Sequence, residues 1–306
     1  MKISVVLATY NGEDYIERQI ASILNQTILP NEIIITDDGS KDRTLDIIRK
    51  FRNYNSNIEW IFTVNKRSGF VSNFINGIQH SSGDIIFLSD QDDKWKSEKI
   101  SKHLAVYEQH KDASLIHGEI DVADLEENIL KTGTQGYHHN LKKISFEEFL
   151  NKPNYPGMSI SFKKKLFYQY ENFIKLHEAS IKTHDYLLVM FSAINGGFYA
   201  MGECLCNRTF TGENVALNLD RKDKFKKTQR IESALTNIAQ YTLVLDFLNF
   251  YNKNDCQINQ TEFLLNKQKS RYNFLKQKNI KNTVKYFVNN LKQMSLKTFI
   301  ADFISF

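Results

Sequence analysis

Asp84-Ile85-Ile86-Phe87-Leu88-Ser89-Asp90-Gln91-Asp92-Asp93-Lys94-Trp95 is the stretch that decides how this chain folds. A short apolar run bounded by polar residues reads as a buried strand, and this one ends in the acids Asp90, Asp92 and Asp93. The carboxyl end of a strand is where an open α/β sheet binds its ligands. Carboxylates at that edge can hold a hard cation, which in turn grips phosphate oxygens.

Two earlier stretches repeat the pattern. Ile3-Ser4-Val5-Val6-Leu7-Ala8 runs into Thr9-Tyr10-Asn11-Gly12, with a helical pattern following over about 14–26. Glu32-Ile33-Ile34-Ile35-Thr36 runs into Asp37-Asp38-Gly39-Ser40, with a helix expected over about 42–53. Short apolar runs alternating with helical periods predict a parallel sheet with crossover helices, so the three strand ends are expected to converge in space.

The 306 residues are enough for one large domain with an appendage, or for two domains. The net charge of +5 is unevenly spread: residues 221–306 carry 16 Lys and Arg against 6 Asp and Glu, and residues 1–220 carry 24 against 29. A boundary near Asp220 follows, with domains at 1–220 and 221–306. Beyond it, helical periodicity runs through Ile231, Leu235, Ile238, Tyr241, Leu245 and Leu248, and two further amphipathic helices are expected over about 260–277 and 283–303. Three cysteines, Cys204, Cys206 and Cys256, are too few and too unevenly spaced for a disulfide framework or a zinc site. Met1-Lys2 leads straight into a strand, no secretory signal is read, and no stretch approaches the roughly 20 apolar residues of a membrane span. A cytoplasmic protein is expected. The basic tail leaves open a solvated face packed on the first domain or on a second copy, or attachment to an anionic membrane. For the latter, Val284, Phe287, Val288, Leu291 and Met294 line an apolar side with Lys285 and Lys292 near it. Nucleic acid is not expected as a partner, since no recognition module is found and the rest of the chain is acidic.

Over its first hundred residues the chain resembles the family-2 glycosyltransferases. The resemblance rests on Val5-Val6-Leu7-Ala8-Thr9-Tyr10-Asn11-Gly12, Ser22-Ile23-Leu24-Asn25-Gln26-Thr27, Ile35-Thr36-Asp37-Asp38-Gly39-Ser40 and Leu88-Ser89-Asp90-Gln91-Asp92-Asp93-Lys94-Trp95. His184-Asp185-Tyr186, Glu203-Cys204-Leu205 and Asn207-Arg208 extend it to about residue 220. The Ser-Asp-Gln-Asp-Asp-x-Trp form is similar to the bacterial rhamnosyltransferase-like branch, whose members build cell-wall, capsule or protein-linked glycans. The fold implied is the nucleotide-diphosphosugar (GT-A) α/β fold, a mostly parallel sheet flanked by helices, here with a helical C-terminal region. The activity implied is transfer of a hexose or deoxyhexose from a UDP- or dTDP-sugar to a hydroxyl of a glycan acceptor, with Mn²⁺ or Mg²⁺ as cofactor.

The resemblance also implies roles. Asp92 is the best metal ligand and Asp90 the second, and Asp185 is the general base that deprotonates the acceptor. A single base on the face opposite the leaving diphosphate implies direct displacement with inversion. Thr9 and Asn11 would lie near the nucleotide, with Glu13 a weaker candidate, and Arg67 and Asn73 occupy the place of another nucleotide-contacting segment. Asp38 is the candidate reader of the base or ribose, because an ionised carboxylate only accepts hydrogen bonds and so matches the imide N–H of uracil or thymine. The alternative is that Asp37 and Asp38 form an Asx turn or cap a helix. Tyr155-Pro156-Gly157-Met158-Ser159 sits where relatives carry an acceptor loop, and His184 could position acceptor or diphosphate; the other histidines read as structural or surface residues. Where many relatives have Arg-x-His, this chain has Arg208-Thr209-Phe210, which puts a third protein metal ligand in doubt and leaves Arg208 as a diphosphate candidate.

Readings from other classes are weighed against this one. A haloacid-dehalogenase-type phosphatase would carry Asp-x-Asp after its first strand, and an oxidoreductase would carry Gly-x-Gly-x-x-Gly there; this chain has neither. A non-catalytic sugar-nucleotide-binding or scaffold subunit stays open, with Asp92 and Asp185 arguing against it.

Overall fold

All three apolar runs are strands in the computed structural model, which describes residues 1–133, 141–210, 227–277 and 279–290, together with Thr298 and Asp302. The chain divides into two units, Met1–Glu213 and Asn214–Phe306. The boundary expected near Asp220 lies outside the described residues.

The first unit runs β1 (Ile3–Thr9), α1 (Ile16–Leu24), β2 (Glu32–Asp37), α2 (Thr44–Tyr54), β3 (Glu59–Val64), α3 (Phe70–His80), β4 (Ile85–Asp90), β5 (Lys94–Trp95) and α4 (Lys99–Gln109). It continues through β6 (Leu115–Ala123), β7 (Ile129–Lys131), β8 (Lys142–Lys143), α5 (Phe146–Asn151), β9 (Ile160–Lys163), α6 (Lys164–Tyr168), α7 (Glu171–His177), α8 (His184–Ile194) and β10 (Phe198–Thr209). The sheet order is β3-β2-β1-β4-β9-β6-β10-β5. β1 lies between β2 and β4, parallel to both, with Thr9 opposite Asp37 and Ala8 opposite Asp90. The three strand ends therefore meet at one edge of the sheet. Val5, Val6 and Leu7, with Ile33 to Ile35 and Ile86 to Leu88, are fully buried, which is why these strands lack a polar alternation.

The second half of the sheet is mixed. β9 runs antiparallel between β4 and β6, while β10 is parallel to β6. β9 brings with it the 3₁₀ turn Gly157–Ser159, and so carries the Tyr155–Ser159 segment to the sheet edge that holds the acids.

At the opposite, amino edge, one buried carboxylate ties the strands together. Glu32 accepts from Ser4 Oγ at 2.6 Å and from the Ser82 amide at 2.5 Å, and pairs with Lys2 Nζ at 2.8 Å. Burial opposes its charge, but these partners win and bring its pKa down to about 2.

The second unit contains α9 (Lys227–Phe250), α10 (Asp255–Lys276) and α11 (Ile280–Asn290), so the first two helices of the tail are longer than the periodicity suggested. Asp302, fully buried, joins all three: Arg230 of α9 and Arg271 of α10 pair with it, and the Tyr286 hydroxyl of α11 donates to it at 2.5 Å. Tyr286 stacks on Phe274 with ring centroids 4.7 Å apart. Val284, Phe287 and Val288, spaced along one side of α11, are exposed. The expected lining residues Leu291 and Met294, with Lys292, lie outside the described residues. No helix among the described residues is long and apolar enough to cross a membrane.

Two stability predictions follow. Glu32→Gln should cost about 2 kcal/mol in urea unfolding at pH 7, the scale of charge-assisted hydrogen bonds. Because the folded-state pKa is lowered, that stabilisation is present above pH 4.5 and is lost as pH falls through about 2, so the gap to wild type should close across that window. Asp302→Ala, which strips two guanidinium groups of their shared carboxylate, should destabilise the helical unit by about 3–5 kcal/mol. Loss of hydrogen-exchange protection confined to α9 to α11 would be the signature, and unchanged protection there would refute it.

Candidate active site

The turns after β1 and β2 are built around Asp37. Its carboxylate accepts from Thr9 Oγ1 at 2.8 Å, from the Gly39 and Ser40 amides at 2.9 and 2.7 Å, and from Ser40 Oγ at 2.6 Å. Asp37 thus forms the Asx turn, and it uses the Thr9 hydroxyl in doing so. Asn11, with φ of +45°, fastens the two turns together: its amide donates to Ser40 Oγ and its side-chain oxygen accepts from the Lys41 amide. Asp38 reaches the other way. It accepts from Asn65 Nδ2 at 2.7 Å and from the Gly69 amide at 2.8 Å, fixing the loop before α3.

Gln91, between the acids, clips the end of β4 to that of β1. Its amide oxygen accepts from the Tyr10 N–H at 2.8 Å and its amide nitrogen donates to the Tyr10 carbonyl at 2.9 Å. The clip leaves no space for a side chain at Gly12, where a Cβ would come within 2.4 Å of the Gln91 amide.

The acids crowd one another. Burial and then the charge of Asp92 push Asp90 up to about 7, and burial also raises Asp92. Asp93 is 2% exposed, its Oδ2 has no hydrogen-bond partner, and burial with the charge of Asp90 raises it well above the carboxylate range. Positive charge comes from residues the sequence reading did not single out, and from Arg208, which it did. Arg18 of α1 donates to the Asp92 carbonyl at 3.1 Å and to Thr209 Oγ1, and its charge favours ionised Asp92. Arg208 favours the ionised form of all three acids. Lys99 is fully buried, donates to the Met158 carbonyl, lies 3.7 Å from the Trp95 ring centroid, and is brought down to about 8 by burial.

Asp185 stands in the first turn of α8, where its Oδ1 accepts from the Tyr186 amide at 2.7 Å. Its negative charge contributes to raising Asp90, so the helix start faces the acid cluster although the two are far apart in sequence. His184, 6% exposed, stacks on Phe74 with centroids 3.9 Å apart.

A cavity of about 260 Å³ opens at this edge, lined by Thr9, Tyr10, Asp38, Asn73, Asp90 and Asp92, with Phe70 and Phe74 on one wall. Five of the expected site residues thus line one space. Asn73 does so while buried, holding Thr36 Oγ1 at 2.7 Å and the Thr9 carbonyl at 3.3 Å. Asn11, Glu13, Arg67 and Asp185 do not line it: Asn11 is turned to the Lys41 amide, Glu13 pairs with Arg43 at 3.0 Å, Arg67 pairs with Glu178 beside neighbouring cavities, and Asp185 stays at the start of α8. Tyr10 and Phe70, both more than half exposed, offer aromatic faces that their sequence context did not announce. His103 and His117 are core residues, bonded through Nδ1 to Ser161 and Ser159.

The model of the family described as Glycosyl transferase family 2 matches residues 4–192. The dTDP-rhamnosyl transferase RfbG of Shigella flexneri is 29% identical over 234 residues, which cover 72% of this chain and 77% of that protein. The chain spans between 32% and 82% of the length of curated relatives of this kind. Among solved structures, S. aureus TarS in complex with UDP superposes with a TM-score of 0.62 at 16% identity, over 98% of this chain and 77% of that one. The mannosyltransferase PcManGT from Pyrobaculum calidifontis, solved with GDP-Man and Mn²⁺, superposes with a TM-score of 0.51 at 13% identity, over 99% and 86%. At these identities the likeness is one of fold, the GT-A architecture. With its β1–α8 region matched across more than half of its length, the chain belongs to glycosyl transferase family 2.

Proposed function

We propose that this glycosyltransferase moves one hexose or deoxyhexose from a UDP- or dTDP-sugar to a hydroxyl of a bacterial surface glycan or glycoprotein, with inversion at the anomeric carbon. The observation that carries the reading is that Asp185 of α8 and Arg208 of β10 both act electrostatically on Asp90 at the end of β4, from segments far apart in sequence. The dTDP-sugar in the name of RfbG, and the UDP and GDP-Man held by the two structural neighbours, support a sugar nucleotide as donor.

The acid cluster fits a divalent cation. Asp93 Oδ2 is buried without a partner, and Asp90 holds its proton far above the usual carboxylate range. Among the described residues no group of three or more His, Cys, Asp or Glu side chains is placed to hold a metal ion by itself. Asp92, with Asp90 second, would hold Mn²⁺ or Mg²⁺, which would stabilise the negative charge that grows on the diphosphate as the anomeric bond breaks. Asp38 has lone pairs left beyond its two loop hydrogen bonds and would read the imide N–H of uracil or thymine, or a ribose hydroxyl. Since Oδ1 of Asp185 is engaged by the Tyr186 amide, Oδ2 is the oxygen that would take the acceptor's proton.

For the C-terminal unit we propose contact with an anionic membrane surface, which would bring the enzyme to a lipid-linked acceptor at the inner face of the membrane. The exposed Val284, Phe287 and Val288, with exposed Lys285 among them, support this, as does the excess of basic residues. Self-association through the same helices is the alternative.

Release of nucleoside diphosphate from a panel of UDP-, dTDP-, GDP- and CMP-sugars, with Mn²⁺, Mg²⁺ or chelator, tests the reading. One donor should be hydrolysed slowly, and Asp92→Ala should cut that rate about 10²–10³-fold. With an acceptor, Asp185→Asn should lower transfer about 10²–10⁴-fold while donor affinity holds. If no donor binds under any metal condition, the scaffold reading replaces this one. A pH test needs no substrate. The raised pKa of Asp90 means that the folded state keeps a proton the unfolded state releases, so wild-type stability falls as pH rises from about 4 to about 7. In chelator, Asp90→Asn should match wild type at pH 4 and exceed it by about 1–3 kcal/mol at pH 8. An equal gap at both pH values would contradict the placement of Asp90 among uncompensated charges.

A further inference from the structure

The acids Asp92 and Asp93 lie on a short connection between two distant parts of the sheet. β4 stops at Asp90 and β5 begins at Lys94, yet β4 lies beside β1 while β5 ends the sheet order, paired with β10. Both ends of the connection are fixed. Gln91 is clipped to Tyr10 on the β1 side, and Lys94 and Trp95 are paired with Asn207 and Cys206 on the β10 side. Between these anchors the Asp92 carbonyl accepts from Arg18 Nη2 at 3.1 Å.

Arg18 belongs to neither strand. It stands on α1, and the nitrogen that bonds Asp92 also donates to Thr209 Oγ1 at 2.5 Å. Thr209 is a firm anchor: it is buried, it is paired with Ala123 of β6, and the next amide, that of Phe210, donates to the Ala123 carbonyl at 2.7 Å. One nitrogen therefore ties the main chain of the proposed metal ligand to the end of β10, one residue past Arg208. The acceptors are a carbonyl and a hydroxyl, so neither bond spends an oxygen of the Asp92 carboxylate. Nε of Arg18 is buried with no hydrogen-bond partner, a cost that a side chain serving only to fill space would not carry.

We propose that Arg18 is a positioning residue for the cation: by holding the Asp92 main chain to the end of β10 it sets where the Asp92 carboxylate stands, and so how tightly Mn²⁺ or Mg²⁺ is bound. Groups that orient a metal's ligands govern affinity by about 10–100-fold. The inference rests on Asp92 being a cation ligand, as proposed above. The positive charge of Arg18 acts in the opposite sense, since it repels a cation, and substitutions separate the two effects.

The test is the affinity for Mn²⁺, read by water-proton relaxation with UDP or dTDP present, whichever the wild type binds. Arg18→Met should weaken Mn²⁺ about 10–100-fold, and Arg18→Lys, which keeps the charge and a donor, should recover part of the loss. Thr209→Val, which leaves Arg18 and its charge in place, should weaken Mn²⁺ about three- to tenfold, the worth of one hydrogen bond. The double variant should bind Mn²⁺ no more weakly than Arg18→Met alone, because Thr209 acts through the arginine. Circular dichroism reports folding, and Thr209→Val carries the test should Arg18→Met fail to fold. Tighter Mn²⁺ binding by Arg18→Met, unchanged binding by Thr209→Val, or additive losses in the double variant would each overturn the inference. Asp92→Ala in the same assay reports on the underlying reading: if it loses Mn²⁺ while the Arg18 and Thr209 variants do not, only this inference fails, and if it too binds as wild type does, the metal reading fails with it.

Discussion

Unbalanced negative charge at the carboxyl edge of the sheet is the constraint on which the site depends. β4 ends in Asp90, with Asp92 and Asp93 just beyond, where β1 and β2 already present the Asp37-Asp38 turn, and the charge of Asp185 acts on Asp90 as well. Burial makes each of those charges more costly, as the raised pKa values of Asp90, Asp92 and Asp93 express. Arg18, Lys99 and Arg208 supply opposing charge but leave Asp93 Oδ2 unpartnered. Positive charge from outside would ease such an edge, and several contacts of the first unit fix the backbone around the acids. The Gln91 clip, the Gly12 approach and the Arg18 bridge all act on the backbone around the acids.

The other carboxylates of the sheet show the contrast. Glu32 and Asp37 are as buried as Asp93, yet each is saturated with donors, and Glu32 is brought down to about 2 where Asp93 is pushed up. Asp38 is intermediate, spending one hydrogen bond per oxygen on the loop before α3 while still lining the cavity. Carboxylates that build the fold are thus separable from those left for a ligand by counting the donors each has found. Residue type alone does not make that distinction, since all are acids at or near strand termini.

This explains what was legible in the sequence. Fully apolar strand runs and their acidic ends follow from composition and period, so the parallel order of β2, β1 and β4 and the convergence of their ends could be read directly. Thr9, Asp38, Asp90 and Asp92, which line one cavity, could be expected together because they sit at those ends, whereas Asn73, on α3, was expected only from the family resemblance. Asn11 and Glu13 sit there too, but their side chains point into neighbouring turns, to the Lys41 amide and to Arg43, and no sequence pattern carries that direction. Gln91 was invisible because it reads as the spacer of an Asp-x-Asp pattern. Lys99 was invisible because a lysine after Lys96-Ser97-Glu98 reads as a solvated helix start, and its contact with Trp95 of β5 follows from how β5 and α4 pack rather than from a helical spacing. The antiparallel insertion of β9 was not legible either, because a four-residue strand between two helices carries no period long enough to read.

Helical period also fails to say which side of a helix faces in. In α11 the sequence marks Val284, Phe287 and Val288 as one apolar stripe, yet among the described residues the buried one is Tyr286, drawn inward by Phe274 and by Asp302. Asp302 fixes this choice. A carboxylate shared by two arginines is stable in a protein interior only when its remaining lone pairs are also bonded, and a tyrosine hydroxyl is a neutral donor that can complete it. Tyr286 therefore turns inward, and its neighbours at 284, 287 and 288 are carried outward with it. The exposed apolar stripe is then a consequence of how the ionic cluster closes the three helices, so its position on α11 is as fixed as the cluster itself.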